Sequence, residues 1–121
     1  MHIDRLRDHC ISKKGVTESF PFDKDTLVFK VMGKMFALIP LEKWEAGDPW
    51  VNLKCDPDRS QELRAQYQGI TPGFHMSKKH WNSVRCNTDV PPQLVLELTD
   101  HSYELVVAGL PKKLRASLEE L

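Results

Sequence analysis

Residues 27–39 run Leu-Val-Phe-Lys-Val-Met-Gly-Lys-Met-Phe-Ala-Leu-Ile. Leu27, Phe29 and Val31 alternate with Val28, Lys30 and Met32, the period of two that a strand imposes on its side chains. Gly33-Lys34 offers a two-residue turn with glycine first, and Met35 to Ile39 forms the returning strand, which Pro40 ends. A hairpin here excludes a helix over the same residues and commits the chain to an antiparallel sheet.

The flanks extend that sheet. Leu41 to Pro49 holds Glu42, Glu45, Gly47 and Asp48 and reads as a solvent-facing loop. Trp50 to Cys55 makes a third short strand, with Val51 and Leu53 on one face and Asn52 and Lys54 on the other. Upstream, Val16 to Asp25 reads as a connection marked by Pro21, with Phe20 and Phe22 expected to anchor it in the core. Ile3, Leu6 and Cys10 recur at helical spacing, so residues 2–13 form an amphipathic helix that Gly15 stops.

In the second half, Asp56-Pro57 starts a helix, a capping carboxylate followed by proline at the first helical position. Leu63, Tyr67 and Ile70 supply its buried stripe, while Arg59, Glu62 and Arg64 face water. Gly69 and Pro72 end it, and Pro72-Gly73 marks a turn. Phe74 to Met76 and His80 to Cys86 read as extended, with Lys78-Lys79 between them. Pro91-Pro92 opens a helix lined by Leu94, Val95, Leu98, Ser102, Leu105 and Val106. Gly109 closes it, and Pro111 starts a last helix through Leu114 and Leu118. The expected order is α-β-β-β-α-β-β-α-α: one α+β domain over residues 1–121, two layers, with helices packed on an antiparallel sheet.

A length of 121 residues suffices for such a domain and a real core. No apolar run approaches the ~20 residues of a membrane span, and the mixed start Met1-His2-Ile3-Asp4-Arg5 lacks the character of a signal peptide. Cys10, Cys55 and Cys86 are odd in number and contain no C-x-x-C pair, which favours reduced thiols and a cytoplasmic setting.

Catalytic chemistry finds little footing, and the chain reads as non-enzymatic. There is no G-x-S-x-G elbow, no P-loop and no G-x-G-x-x-G, so neither an acyl-enzyme nor a nucleotide cofactor is expected. His75 and His80 lie five apart with Cys86 six further on, a spacing that fits no zinc template, so no metal is expected either. Net charge is zero, which weighs against nucleic-acid binding by the whole surface. The distribution is less even. No Lys or Arg occurs between Asn87 and Pro111, whereas Lys30, Lys34, Lys78, Lys79, Arg85, Lys112, Lys113 and Arg115 sit in segments able to converge.

Five motifs resemble the MmcQ/YjbR family: PGFHMSKKHW (72–81), VMGKMFA (31–37), LKCDP (53–57), SYELV (102–106) and LPKK (110–113). The resemblance covers almost the whole chain. It implies the same order of elements, in a fold related to frataxin-like and secretion-chaperone-like domains, and a DNA-binding role without a defined reaction. The double-wing mode suggested for that family lays two basic hairpins on double-stranded DNA. Here it maps onto Lys34 in one hairpin and Lys78 and Lys79 in the other, with His80 and Trp81 supporting and Lys112-Lys113 flanking. Lysines at hairpin tips gain affinity through counterion release without reading sequence. Each assignment has a plainer counterpart: Lys78-Lys79 as a solvated turn, Trp81 as a core strand residue.

The alternative is a small-molecule or protein-binding module. His75, His80, Trp81 and Tyr103 would rim a pocket between sheet and helix, or the sheet would take a peptide or a second copy. A continuous basic face favours nucleic acid; a deep apolar cleft favours a ligand.

Overall fold

The computed structural model describes residues 1–121. The chain runs α1 (Ile3–Ile11), β1 (Val16–Ser19), β2 (Thr26–Val31), β3 (Lys34–Pro40) and α2 (Leu41–Glu45). It continues through β4 (Trp50–Lys54), α3 (Pro57–Gln66), β5 (Ile70–Pro72), β6 (Trp81–Arg85), α4 (Pro92–Ala108) and α5 (Lys112–Glu119). All strand pairings are antiparallel, in one six-stranded sheet of order β1-β2-β3-β4-β6-β5. The α+β class with helices packed on the sheet is therefore as the sequence predicts, with two elements more than expected and one strand displaced. Helix α3 ends at Gln66, Tyr67 is extended, and Ile70, expected in the helix, opens β5 in place of a strand at Phe74–Met76.

The first addition is β1, in a segment expected to be a connection. Val16 and Glu18 are half-buried and Thr17 and Ser19 exposed, a period of two over only four residues. Arg7 of α1 ties the edge down by donating from Nε to Glu18 at 3.0 Å. The second is α2, in a segment expected to be a loop. Leu41 and Trp44, three apart, turn toward the core, and the Asp25 carboxylate accepts from the Glu42 N–H at 2.8 Å.

The central hairpin is present with its turn displaced by one residue. Val31 pairs with Lys34, so Met32 and Gly33 are the central residues, at φ 48° and 84°. Both lie in the left-handed region that a type I′ turn requires, and glycine supplies the second at no steric cost. Lys34 thus opens β3 instead of occupying the turn. A register shift after Phe29 lets both Phe36 and Ala37 bury completely.

Alternation sorts the sheet into two faces. Leu27, Phe29, Val31, Ala37, Ile39, Val51, Leu53 and Val84 join residues of α1, α3, α4 and α5 in one cluster of 22 buried residues. Within α4 the buried stripe is Val95, Leu96, Leu98, Thr99, Ser102 and Val106; Leu94 and Leu105 are only half-buried. The Ser102 hydroxyl clamps helix to sheet by donating to the Phe36 carbonyl and accepting from the Lys54 N–H. The opposite face bears Val28, Leu38, Asn52 and Ser83, none of which belongs to that cluster.

Candidate functional site

The uncovered face is overhung by two loops. One precedes β2 and carries Phe22 and Asp23. The other, residues 73–80, joins β5 to β6 and folds back across the sheet instead of forming the tight turn and extended Phe74–Met76 segment expected. Gly73 N–H donates to the Trp81 carbonyl at 2.8 Å, and no Cβ fits at position 73, since it would lie 2.8 Å from the Trp81 Cβ. The next residue is anchored to the strands. Asn52 Nδ2 donates to the Phe74 carbonyl at 3.0 Å, Phe74 N–H donates to Ser83 Oγ at 3.0 Å, and Ser83 Oγ donates to Asn52 Oδ1 at 2.6 Å. The hydrogen bonds that these two buried side chains make to Phe74 and to each other hold this arm. His75 completes the bend at φ 59°.

Between the arms lies a cleft of about 350 Å³. Leu38, Asn52 and Thr26 form its floor, with Met35, Trp50, Phe22, Phe74 and Met76 among its walls. Phe74 meets Trp50 edge-on, ring centres 6.0 Å apart, and its ring centre lies 4.0 Å from that of His75, the two planes tilted by 51°. Phe22 is 64% exposed, Phe74 56% and Phe20, beside the cleft lining, 47%. Phe20 and Phe22 were expected in the core; the β1–β2 connection instead carries them away from it, because β1 already closes that edge of the sheet.

Asp23, at the cleft rim, is occupied with its own loop. It accepts from the N–H groups of Asp25 and Thr26 and from the Thr26 hydroxyl. Hydrogen bonds from Thr26 and Asp25 hold its carboxyl below the usual range.

The second half of the long loop is pinned from α3. Arg64 donates to Asn82 Oδ1 at 2.7 Å and to the carbonyls of Lys78 and Trp81, while Asn82 donates to Ser60 Oγ. Arg64 was expected to face water; its guanidinium instead satisfies the Lys78 carbonyl, which no backbone donor reaches, and adds a second donor to the Trp81 carbonyl.

Strand register places the basic residues. Lys34, Lys54 and Trp81 lie at one end of β3, β4 and β6, and Lys78, Lys79 and His80 continue from that end. Lys30 shares the uncovered face, paired with Met35. Lys78, Lys79 and His80 are exposed, and none of the five lysines 30, 34, 54, 78 and 79 takes part in an ion pair. Trp81 is half-exposed on the uncovered face, outside the core cluster, so its reading as a core residue is corrected.

Two other groups lie elsewhere. Arg85 sits at the far end of β6, paired with Asp48. Lys112 and Lys113 start α5, whose Leu114 and Leu118 pack on the core, so they belong to the helix layer. Lys54 and the aromatic pair Trp50–Phe74 were not singled out from the sequence, although the alternation of 50–54 already set Lys54 opposite Val51 and Leu53.

The pocket expected between sheet and helix is not where the cleft lies. Of its four proposed rim residues only His75 lines the cleft. Tyr103 is on the helix side, edge-on to Phe36 at 5.4 Å, donating its hydroxyl to the Lys14 carbonyl.

The thiols are buried and unpaired. Burial pushes Cys10 up to about 12 and Cys86 up to about 11, and raises Cys55 as well, leaving no thiolate at neutral pH. No three His, Cys, Asp or Glu side chains come together as a metal site, and no helix is long and apolar enough to cross a membrane.

A family model described as YjbR matches residues 11–105. The chain belongs to the YjbR family. Its relatives include the uncharacterised Escherichia coli protein YjbR, 31% identical over the full length of both chains. The uncharacterised YyaQ of Bacillus subtilis is 38% identical over 108 residues, 80% of this chain and 91% of that one. A Deinococcus radiodurans crystal structure, that of a protein with a DUF419 domain, superposes with a TM-score of 0.86 at 41% identity, covering 97% of this chain and 87% of the other. In this chain the segment PGFHMSKKHW forms the arm over the open sheet face.

Proposed function

We propose that this YjbR-family chain is a non-enzymatic nucleic-acid-binding protein that meets phosphates at the hairpin end of its uncovered sheet face. One observation carries the reading: Lys30, Lys34, Lys54, Lys78 and Lys79 gather toward that end with no carboxylate partner. The only strand carboxylate, Glu18, is held by Arg7 of α1. Asp23, Asp25, Glu42, Glu45 and Asp48 lie toward the opposite strand ends, alongside Lys24 and Lys43, while Asp56 and Asp58 follow Lys54 at the start of α3. Lys112 and Lys113, in the helix layer, are not part of this interface. DNA, duplex or single-stranded, is the partner class, and phosphate contact at this end needs no sequence readout.

A second reading, a small-molecule binder, draws on the apolar cleft, whose volume falls at the lower end of ligand pockets. Titration of labelled DNA at two salt concentrations separates the two. Three or four phosphate contacts give a slope of log affinity against log salt between roughly −2 and −4. Absence of binding even at low salt would refute the nucleic-acid reading.

A further inference from the structure

Phosphate contact accounts for the lysines but leaves the cleft without a role. Its two arms stand on either side of β3, two inter-strand spacings or about 10 Å apart, and each presents a large exposed aromatic ring, Phe22 and Phe74. Soluble surfaces scatter single apolar residues, but two such rings facing one concave site form a stacking surface. Each polar side chain of the floor is already engaged by the protein, with only part of its hydrogen-bonding capacity left. Asn52 serves Phe74 and Ser83, and the Thr26 hydroxyl serves Asp23. An occupant therefore gains from its π-face more than from hydrogen bonds to its edge.

Charge fixes the direction of approach. Lys54 lies two residues along β4 from Asn52, about 7 Å from the floor at the rise of a strand, and Lys30 pairs with Met35 of the cleft wall. Neither is in an ion pair. An anionic backbone on these lysines leads its apolar groups into the cleft.

Resting on the nucleic-acid reading, we infer that the cleft seats an unpaired base of a single strand whose phosphates lie along Lys30 and Lys54. A paired base cannot reach Leu38 beneath the two arms, because its faces are covered by neighbouring pairs and only its edge is free. The site takes bases with little discrimination, since stacking is open to all of them.

The test compares a short labelled single strand with the duplex of the same length, on wild type and on Phe22→Ala, Phe74→Ala and Phe20→Ala. Both cleft rings are more than half exposed, so their variants fold, which thermal denaturation verifies. The expected result is tighter binding of the single strand, and a loss of about tenfold or more in each cleft variant with an unchanged salt slope. Phe20→Ala, outside the cleft lining, binds as wild type. If the cleft variants bind the single strand unchanged while Lys78→Ala/Lys79→Ala weakens it, the cleft inference falls and the phosphate interface stands. Equal losses on duplex and single strand also overturn it. If no nucleic acid binds wild type, both fall; adenosine monophosphate binding as tightly as the oligonucleotide would make the cleft a small-molecule site.

Discussion

Asn52 and Phe74, 22 residues apart, are joined by a side-chain amide donating to a main-chain carbonyl at 3.0 Å. That bond ties a floor strand to the arm above it, and the same amide accepts from Ser83. Asn52→Leu removes both links and leaves buried polar groups without partners, at a cost of roughly 1–3 kcal/mol of unfolding free energy. Urea denaturation measures it, and amide exchange at Phe74 rises. Wild-type stability in this variant would mean that the arm is held by other contacts.

Arg64 plays the same part for the second half of the loop. Arg64→Ala frees the Lys78 carbonyl, leaves the Trp81 carbonyl with the Gly73 N–H alone and leaves Asn82 short of a donor. The expected loss is about 1.5–3 kcal/mol, and trypsin cuts after Lys78 or Lys79 faster than in wild type. Arg64→Lys should not restore protection, because an ammonium cannot reproduce the planar fork.

Lys78→Ala/Lys79→Ala leaves the thermal midpoint almost unchanged, since both side chains are exposed and unpaired. Its effect is on binding. If both lysines meet phosphates of duplex DNA, the salt slope becomes shallower by about two, on all sequences alike. An unchanged slope would remove the 73–80 loop from the interface.

His101 gives stability a pH dependence above the carboxylate range. Its Nε2 accepts from the Asp56 N–H at 3.2 Å, which only a neutral ring can do. Burial, then the nearby Arg59 charge, lower its pKa below the ordinary value. Below about pH 6.5 the unfolded ring binds more protons than the folded one. This contribution is therefore complete above about 6.5 and is lost as pH falls through the lower folded pKa. Denaturation midpoints drop as pH falls below about 6.5 in wild type and drop less in His101→Gln.

The hairpin over 27–39 was legible because burial of one face writes itself into the sequence as alternation, and α3 because Asp56 caps Asp58 and Arg59 as its position before Pro57 implies. Strand β1 was not legible: four residues carry too few periods, and its partner β2 supplies the pairing. The arms over the cleft were illegible for a different reason. Whether Phe22 and Phe74 anchor a loop or stand exposed depends on what the folded sheet leaves beneath them, which local pattern does not encode. Arg64 shows the same limit, since its partners on 78–82 come from a segment beyond β5. The lysines of 78–79 were visible as residues, but only the register of β4 with β6, which pairs Lys54 with Trp81, brings their loop to the end of the sheet where Lys54 lies.

Backbone amide shifts of the labelled protein, mapped during titration with a short single-stranded DNA, locate the binding face. Perturbations are expected on Lys30, Lys34 and Lys54, on the 73–81 arm and around Phe22, with the exposed surfaces of α1, α4 and α5 silent. Perturbations centred on Lys112, Lys113 and the helix layer, or none at saturating DNA, would contradict the proposed binding face.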